Sequence, residues 1–186
     1  MLTQQNSPYD LDDVPNSLPR LLDFLEEEEH SYFRKELDGL ESLLEDAFRS
    51  EEGAHVDVLE VLKGELARMS SESRKHMSRE ERALFPRARR LIAASESTGL
   101  ADIPLMDVIE PVHHEHENAL EWTKRIRRIT GDFYIPAGAG ESLRELYERF
   151  QQFQRRLERH VWIEENLVVP DIQKLQDEIE EKGENV

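Results

Sequence analysis

HMSREERALFP at residues 76–86 and HVWIEENLVVP at residues 160–170 follow one template. Each consists of a histidine, three residues, two glutamates, four residues and a proline, with an apolar pair just before the proline. The chain has only 7 histidines, so a spacing that repeats around two of them is informative. Residues four apart share a helix face. His76 with Glu80, and His160 with Glu164, would therefore each present an imidazole and a carboxylate on one face.

Helical apolar periodicity surrounds both motifs, and strand-like alternation is absent from the sequence. Four stripes occur between residues 18 and 50, 55 and 84, 109 and 126, and 143 and 168. SEEG at 50–53, TGLADIP at 98–104 and GDFYIPAGAG at 131–140 separate them. Four long amphipathic helices with short connections predict an all-α fold, an antiparallel (up-down-up-down) four-helix bundle.

Residues 1–16 contain two prolines and little apolar periodicity, and we expect a flexible N-terminal lead-in there. The bundle itself is predicted to span residues 17–180. Ser17 is a candidate cap for the first helix, with Pro19 in the opening turn. Pro111 interrupts the third stripe, so the third helix is expected to begin or bend at that residue.

Composition excludes several classes of protein. The chain has no cysteine, which excludes disulfides, thiol catalysis and cysteine-ligated clusters. A formal charge of −17 argues against nucleic acid as a partner. No apolar run approaches the roughly 20 residues of a membrane span, and the acidic N-terminus lacks the segments of a signal peptide. We therefore expect a cytoplasmic protein of one domain that binds neither nucleic acid nor membrane.

The two His–Glu pairs fall on the apolar stripes, so both are expected to face the core. Burying a carboxylate is costly unless its charge is compensated. One such pair would more often be a hydrogen-bonded polar group of the core, but two matched pairs on two helices favour a metal site. His30 and His116 add one inward imidazole from each remaining helix.

The heights of these residues along the predicted bundle are compatible. His30 and His76 lie at similar sequence distances from the first turn, and His116 and His160 lie at more loosely matched distances from the 131–140 loop. Four histidines and two glutamates would then meet at mid-bundle and suit a pair of transition-metal ions, with the carboxylates placed to bridge them. Mixed imidazole and carboxylate ligands favour iron over calcium or magnesium, while zinc and manganese remain compatible.

The other histidines fit less well. His55 lies on the second stripe, but on a continuous helix it would be roughly 30 Å from His76, too far to share a centre. His113 is a candidate for an extra ligand because it precedes His116 by three residues. His114 is expected to face solvent.

A ferritin-type site is the alternative metal centre. It requires Glu-x-x-His on two helices and single glutamates from the other two. Glu27 with His30, and Glu110 with His113, have this spacing. Glu27 lies in an EEEE run, where such a match arises easily, and the alternative leaves both His-x-x-x-Glu pairs unexplained. We therefore reject it.

These motifs resemble the hemerythrin-like (HHE cation-binding) domain over roughly residues 20–172. The resemblance is strongest to the di-iron proteins that repair iron–sulfur clusters damaged by nitric oxide or peroxide. It rests on HSYFRKEL at 30–37, the H-x-x-x-E-E-x-x-L-F-P motif at 76–86, EHENA at 115–119 and H-x-x-x-E at 160–164. It implies the metal ligands His30, His76, Glu80, His116, His160 and Glu164.

Two features depart from the family. Its repair proteins usually carry a small N-terminal domain with adjacent cysteines, and this sequence has neither. Oxygen-carrying hemerythrins have two histidines four apart on the third helix, whereas Val112 stands four residues before His116. An oxygen-carrier site is therefore not reproduced.

The resemblance implies a non-heme di-iron centre of two iron ions, bridged by Glu80 and Glu164 and by an oxo group when oxidised. The expected role is in the nitrosative or oxidative stress response, as an iron donor for cluster repair or a binder of NO or O2. Its partners would be a small diatomic ligand or an iron-acceptor protein. The alternatives are an O2-binding or sensing hemerythrin and, from another class, a metal-free helical scaffold or interaction protein.

Overall fold

Four long helical stretches make up most of the described residues, and three of them contain a π-helical turn. The structure, a computed structural model, describes residues 7–50, 54–95 and 105–184, with the side chains of 54, 55 and 182–184 left out. The α-helices are α1 (Leu18–Phe24), α2 (His30–Ser50), α3 (Ala54–Arg79), α4 (Phe85–Ser95), α5 (Met106–Ile129), α6 (Glu141–Ile163) and α7 (Val169–Glu184). The π-turns are Leu25–Glu29, Glu80–Leu84 and Glu164–Val168.

The predicted fold class is confirmed: the described residues contain no strand, and 86% of them are helical, as in a hemerythrin-like four-helix bundle. The first helical stretch begins directly after Ser17, whose side chain makes no capping hydrogen bond. The third begins at Met106 and contains Pro111 in its interior, so Pro111 does not start it. The 131–140 segment is a loop as predicted, whereas 51–53 and 98–104 lie outside the described residues.

Two π-turns occupy the same position in the repeated motif. Each begins at the motif's first glutamate, and the backbone N–H of Phe85 and of Val169 bonds the carbonyl five residues back, at Glu80 and Glu164. Proline follows as the second residue after each turn. Because proline has no N–H to bond the fourth residue back and its ring crowds that carbonyl, regular α-helix is disfavoured there. Insertions of this kind are frequent at functional sites.

The helices contribute to two compact units. The first comprises Met1–His30, His76–His114 and Arg159–Val186. Its core is a cluster of leucine, isoleucine, valine and phenylalanine side chains, with Leu22, Leu25, Phe85, Leu91 and Ile172 fully buried. Apolar burial of this kind stabilises by roughly 25 cal/mol per Å².

Part of the predicted lead-in belongs to this first unit. Leu11 and Val14 are buried in its core, and Tyr9 contacts the edge of Trp162 with ring centroids 6.3 Å apart. Arg159 donates a 3.0 Å hydrogen bond to the backbone carbonyl of Asp10. Residues 9–14 are thus attached to the fourth helical stretch by both apolar and polar contacts.

The second unit comprises Ser31–Lys75 and Glu115–Glu158. Its buried side chains are mostly leucines together with an aromatic group, in which Phe153 makes edge contacts with Phe33 and Trp122 at centroid distances of 5.5 and 6.0 Å. Arg149 donates two hydrogen bonds to Glu36, of 2.7 and 2.8 Å. Gly39 leaves the space that the Arg149 guanidinium occupies, because a Cβ at that position would collide with it.

Candidate metal centre

Four of the predicted ligands form a buried cluster inside the first unit. His30 and Glu80 are 0% exposed, and His160 and Glu164 are each 2% exposed. One donor atom from each of the four lies within 4.8 Å of the others. Since iron- or zinc-type bonds to nitrogen and oxygen are about 2 Å long, donor atoms around one ion are separated by roughly 3–4 Å. The cluster is therefore close to the size that a single ion requires.

The carboxylate of Glu80 faces two imidazoles. Its Oε2 lies 3.2 Å from Nε2 of His30 and 3.3 Å from Nε2 of His76. The two histidines come from different helices, and both reach the same oxygen, which agrees with their matched heights in the sequence analysis. Glu164 has a comparable neighbour, because its Oε1 lies 3.5 Å from Nε2 of His160.

A second set of donors shares both glutamates. His76, Glu80 and Glu164 also place one donor atom each within 4.8 Å of one another. Unlike the other histidines of the first unit's cluster, His76 retains 13% side-chain exposure. The two sets of donors therefore differ in access to solvent, and His76 lies on the accessible side.

His116 belongs to the second unit. It lies in α5 and is 3% exposed. Its burial matches the inward orientation that the third apolar stripe predicts.

The donor set tests whether a metal fits. Both oxygens of Glu80 and Nε2 of His30 are buried and make no hydrogen bond to any described residue, although Oε2 lies only 3.2 Å from that nitrogen. A buried carboxylate in this state is very costly unless it is protonated or compensated by positive charge. A divalent or trivalent cation supplies that charge, and imidazole with carboxylate is the donor set of iron, zinc and manganese. The residues present fit a transition metal.

In the metal-free protein, the pKa of the His30 imidazole is raised. Burial by itself lowers the pKa of this imidazole, but the adjacent carboxylates of Glu80, Glu164 and Glu81 outweigh that effect, and the pKa is raised above 6.5.

Two glutamates behind the cluster were not predicted. Glu81 accepts a 2.8 Å hydrogen bond from Nδ1 of His30. Glu29 is fully buried, with its carboxylate 3.5 Å from Nη1 of Arg159 and 4.0 Å from Nδ1 of His160. In sequence, Glu29 ends the EEEE run, but it stands four residues before Phe33 and seven after Leu22, so helical spacing alone could have placed it on the buried face. The π-turn Leu25–Glu29 ends directly before α2, and Glu29 and His30 are both buried at this junction.

Of the remaining histidines, His113 and His114 lie outside the cluster, and the side chain of His55 is not among those that the structure describes. His113 is 58% exposed and hydrogen-bonds Glu165 through Nδ1 at 2.9 Å, and His114 is exposed as predicted. The side chain of His55 is outside the described residues, but α3 is one uninterrupted helix from Ala54 to Arg79, as the distance argument requires. Both glutamates of the rejected ferritin-type pairing, Glu27 and Glu110, are exposed.

Buried imidazoles and carboxylates that project inward from several helices are typical of helical bundles that bind metal. Residues 22–130 match the family model described as the hemerythrin HHE cation binding domain, which is more than half of the chain. The chain belongs to this family. The predicted family is thereby confirmed.

Two characterised relatives are iron–sulfur cluster repair proteins by name. The chain is 30% identical to the iron-sulfur cluster repair protein DnrN of Neisseria gonorrhoeae over 105 residues, covering 56% of this chain and 61% of the relative. It is also 30% identical to the repair protein YtfE of Pectobacterium atrosepticum over 109 residues, covering 59% of this chain and 45% of the relative. The chain thus spans less than two thirds of either relative.

No helix among the described residues combines the length and apolar character needed to cross a bilayer.

Proposed function

We propose that this chain is a non-heme di-iron protein of the nitrosative and oxidative stress response. Its ligands are His30, His76, Glu80, His116, His160 and Glu164. Glu80 and Glu164 bridge the two metal positions, His30 and His160 serve the buried one, and His76 and His116 serve the other.

One observation carries the proposal: the buried carboxylate of Glu80 lies about equally far from imidazole nitrogens on two helices. A carboxylate that only satisfied one core histidine would be expected to form a hydrogen bond with it, and Glu80 forms none with any described residue. A position between two imidazoles suits a bridging ligand with a metal ion on each side.

His116 is assigned on less direct grounds. The set of His76, Glu80 and Glu164 supplies three donors, and a fourth completes a first coordination shell of the size that transition metals prefer. His116 is a buried imidazole on the remaining helix, and it occupies the histidine of the E-H-x-x-A motif.

Iron at these positions would supply open coordination sites and one-electron redox chemistry. The protein's own contribution is to hold the donors in a dry core and to limit access to one side. The partly exposed His76 gives the second position contact with solvent, which suits either uptake of NO or O2 or release of iron to an acceptor protein. The two relatives are named as iron–sulfur cluster repair proteins, and this similarity favours iron donation for cluster repair over the other roles.

A reversible oxygen-carrier site is the less favoured function. Val112 stands where a second histidine of the third helix would be needed, and it is buried in the apolar core of the first unit with 1% exposure. An imidazole there would have to displace core packing, which costs stability.

Anaerobic purification followed by two assays tests this function. Absorption spectra before and after addition of NO or O2 measure ligand binding, and transfer of iron to a cluster-free acceptor protein measures donation. We expect spectral changes with NO and faster cluster assembly than with the Glu80→Gln variant, which should carry no iron to donate. An iron-loaded wild-type protein that neither changes its spectrum nor transfers iron would contradict the proposal.

A further inference from the structure

The second glutamate of each repeated motif makes the same contact. Glu81 bonds Nδ1 of His30 at 2.8 Å, and Glu165 bonds Nδ1 of His113 at 2.9 Å. In both cases the histidine lies on the helical stretch that precedes the motif in the chain. The repeat therefore encodes a carboxylate–imidazole pair in addition to the His-x-x-x-Glu pair on its own helix.

The direction of the Glu81 bond follows from the chemistry of the two groups. A glutamate carboxylate at neutral pH accepts hydrogen bonds and has no proton to donate, so Nδ1 of His30 must be the donor. The proton is thus held on Nδ1, and Nε2 is the nitrogen left for another partner. That nitrogen is the one 3.2 Å from Oε2 of Glu80.

The two carboxylate–imidazole pairs differ in solvent exposure. His30 is fully buried in the cluster and Glu81 is 22% exposed, so the bond is shielded on the imidazole side. His113 is 58% exposed and Glu165 is 26% exposed, outside the cluster. Glu81 and Glu165 occupy equivalent motif positions and make equivalent bonds, but only the first bond acts on a histidine of the cluster.

We propose that Glu81 is a positioning residue, which fixes the Nδ1–H tautomer and ring orientation of His30 so that Nε2 faces the metal position. Carboxylates in this role commonly hold metal-bound histidines, and their loss typically costs about 10–100-fold in metal affinity. Glu165 makes the same bond to a histidine without that role. The consequence for metal binding rests on the proposed function, whereas the tautomer itself does not.

The tautomer is measured without metal. In ¹⁵N-labelled, metal-free protein at alkaline pH, where imidazoles are neutral, long-range ¹⁵N–¹H correlation spectra show which ring nitrogen is protonated. We expect His30 to carry its proton on Nδ1 in the wild type and in Glu165→Ala, and to lose that preference in Glu81→Ala. A wild-type His30 protonated on Nε2 would overturn the proposal, whether or not the protein binds iron.

Zinc affinity, measured by competition with a chromophoric chelator, supplies the second readout. We expect Glu81→Ala to bind zinc about 10–100-fold more weakly. Glu81→Gln, whose amide oxygen still accepts the bond, should recover part of the loss, and Glu165→Ala should match the wild type. Equal losses in the Glu81 and Glu165 variants, or no rescue by glutamine, would overturn the role of the bond. If the wild type binds no zinc or iron, the proposed function fails while the tautomer result stands.

Discussion

Oε2 of Glu80 lies 3.2 Å from Nε2 of His30, on a different helix, and both side chains are completely buried. Neither atom is in hydrogen-bond geometry with a described residue. Close approach without a hydrogen bond, deep in a core, is the arrangement expected of two ligands whose shared partner is a cation. The effect of replacing Glu80 on iron content is therefore the first measurement to make.

Glu80→Gln should lose iron from both positions, because the bridging carboxylate supplies an oxygen and a negative charge to each. The loss in affinity should exceed the roughly 10–100-fold that is typical of residues behind the ligands. Elemental analysis of protein purified in parallel measures it. Glu60→Gln, an exposed glutamate of α3, is the matched control and should keep wild-type iron content. Equal iron in both variants would exclude a bridging role.

Histidines at the two ends of α3 should behave differently. His76→Ala removes a ligand and should reduce the iron content, with the buried set of His30, Glu80, His160 and Glu164 retaining some metal. His55→Ala should leave iron content unchanged, since about 21 residues of continuous helix separate His55 from His76 by roughly 30 Å. Loss of metal in the His55 variant would mean that α3 is interrupted in solution.

Stabilisation by metal should depend on pH through His30. Its pKa in the metal-free fold is raised above the ordinary 6.5. A raised folded pKa contributes stability that is fully present below 6.5 and is lost as pH rises through the folded value. Metal needs the deprotonated Nε2, so the melting temperature gained on metal loading should increase over that same interval. A gain that shrinks as the pH rises, measured by scanning calorimetry with and without metal, would contradict the assignment of His30.

The repeated motif shows which structural features could be predicted from the sequence. Four-residue spacing on apolar stripes was sufficient to place His76, Glu80, His160 and Glu164 on inward faces, because helical periodicity is local and regular. The four-helix fold followed from the same periodicity. The structure agrees with both inferences in its described residues.

Features that depend on irregular backbone could not be predicted in this way. The π-turns Leu25–Glu29, Glu80–Leu84 and Glu164–Val168 were not predicted from the apolar periodicity. The partners of Glu81 and Glu165 depend on how neighbouring helices are rotated, which one-dimensional spacing does not encode. The burial of Leu11 and Val14 likewise depends on tertiary contacts of a segment without periodicity.

The metal-free protein should remain folded but be loosened around the site. A ligand that binds only the folded state stabilises it by about 2.7 kcal/mol when the free ligand concentration is 100 times the dissociation constant. Removal of metal leaves buried ionisable groups that must protonate, admit water or open the structure. Hydrogen exchange should therefore accelerate at residues 76–80 and 160–164. Residues 146–153 of the second unit, with Leu146, Phe150 and Phe153 fully buried, should change little. Equal protection of all three segments in both states would argue against a buried metal site.

The metal content of the purified protein decides whether the chain holds a di-iron centre. The protein should be expressed without a histidine tag in iron-replete cells, purified under anaerobic conditions and analysed for iron, zinc and manganese together with protein concentration. We expect about two irons per chain and a near-ultraviolet absorption after oxidation. Stoichiometric zinc without iron would contradict the iron assignment. A metal-free protein whose melting temperature does not respond to added ferrous iron would contradict the metal site itself.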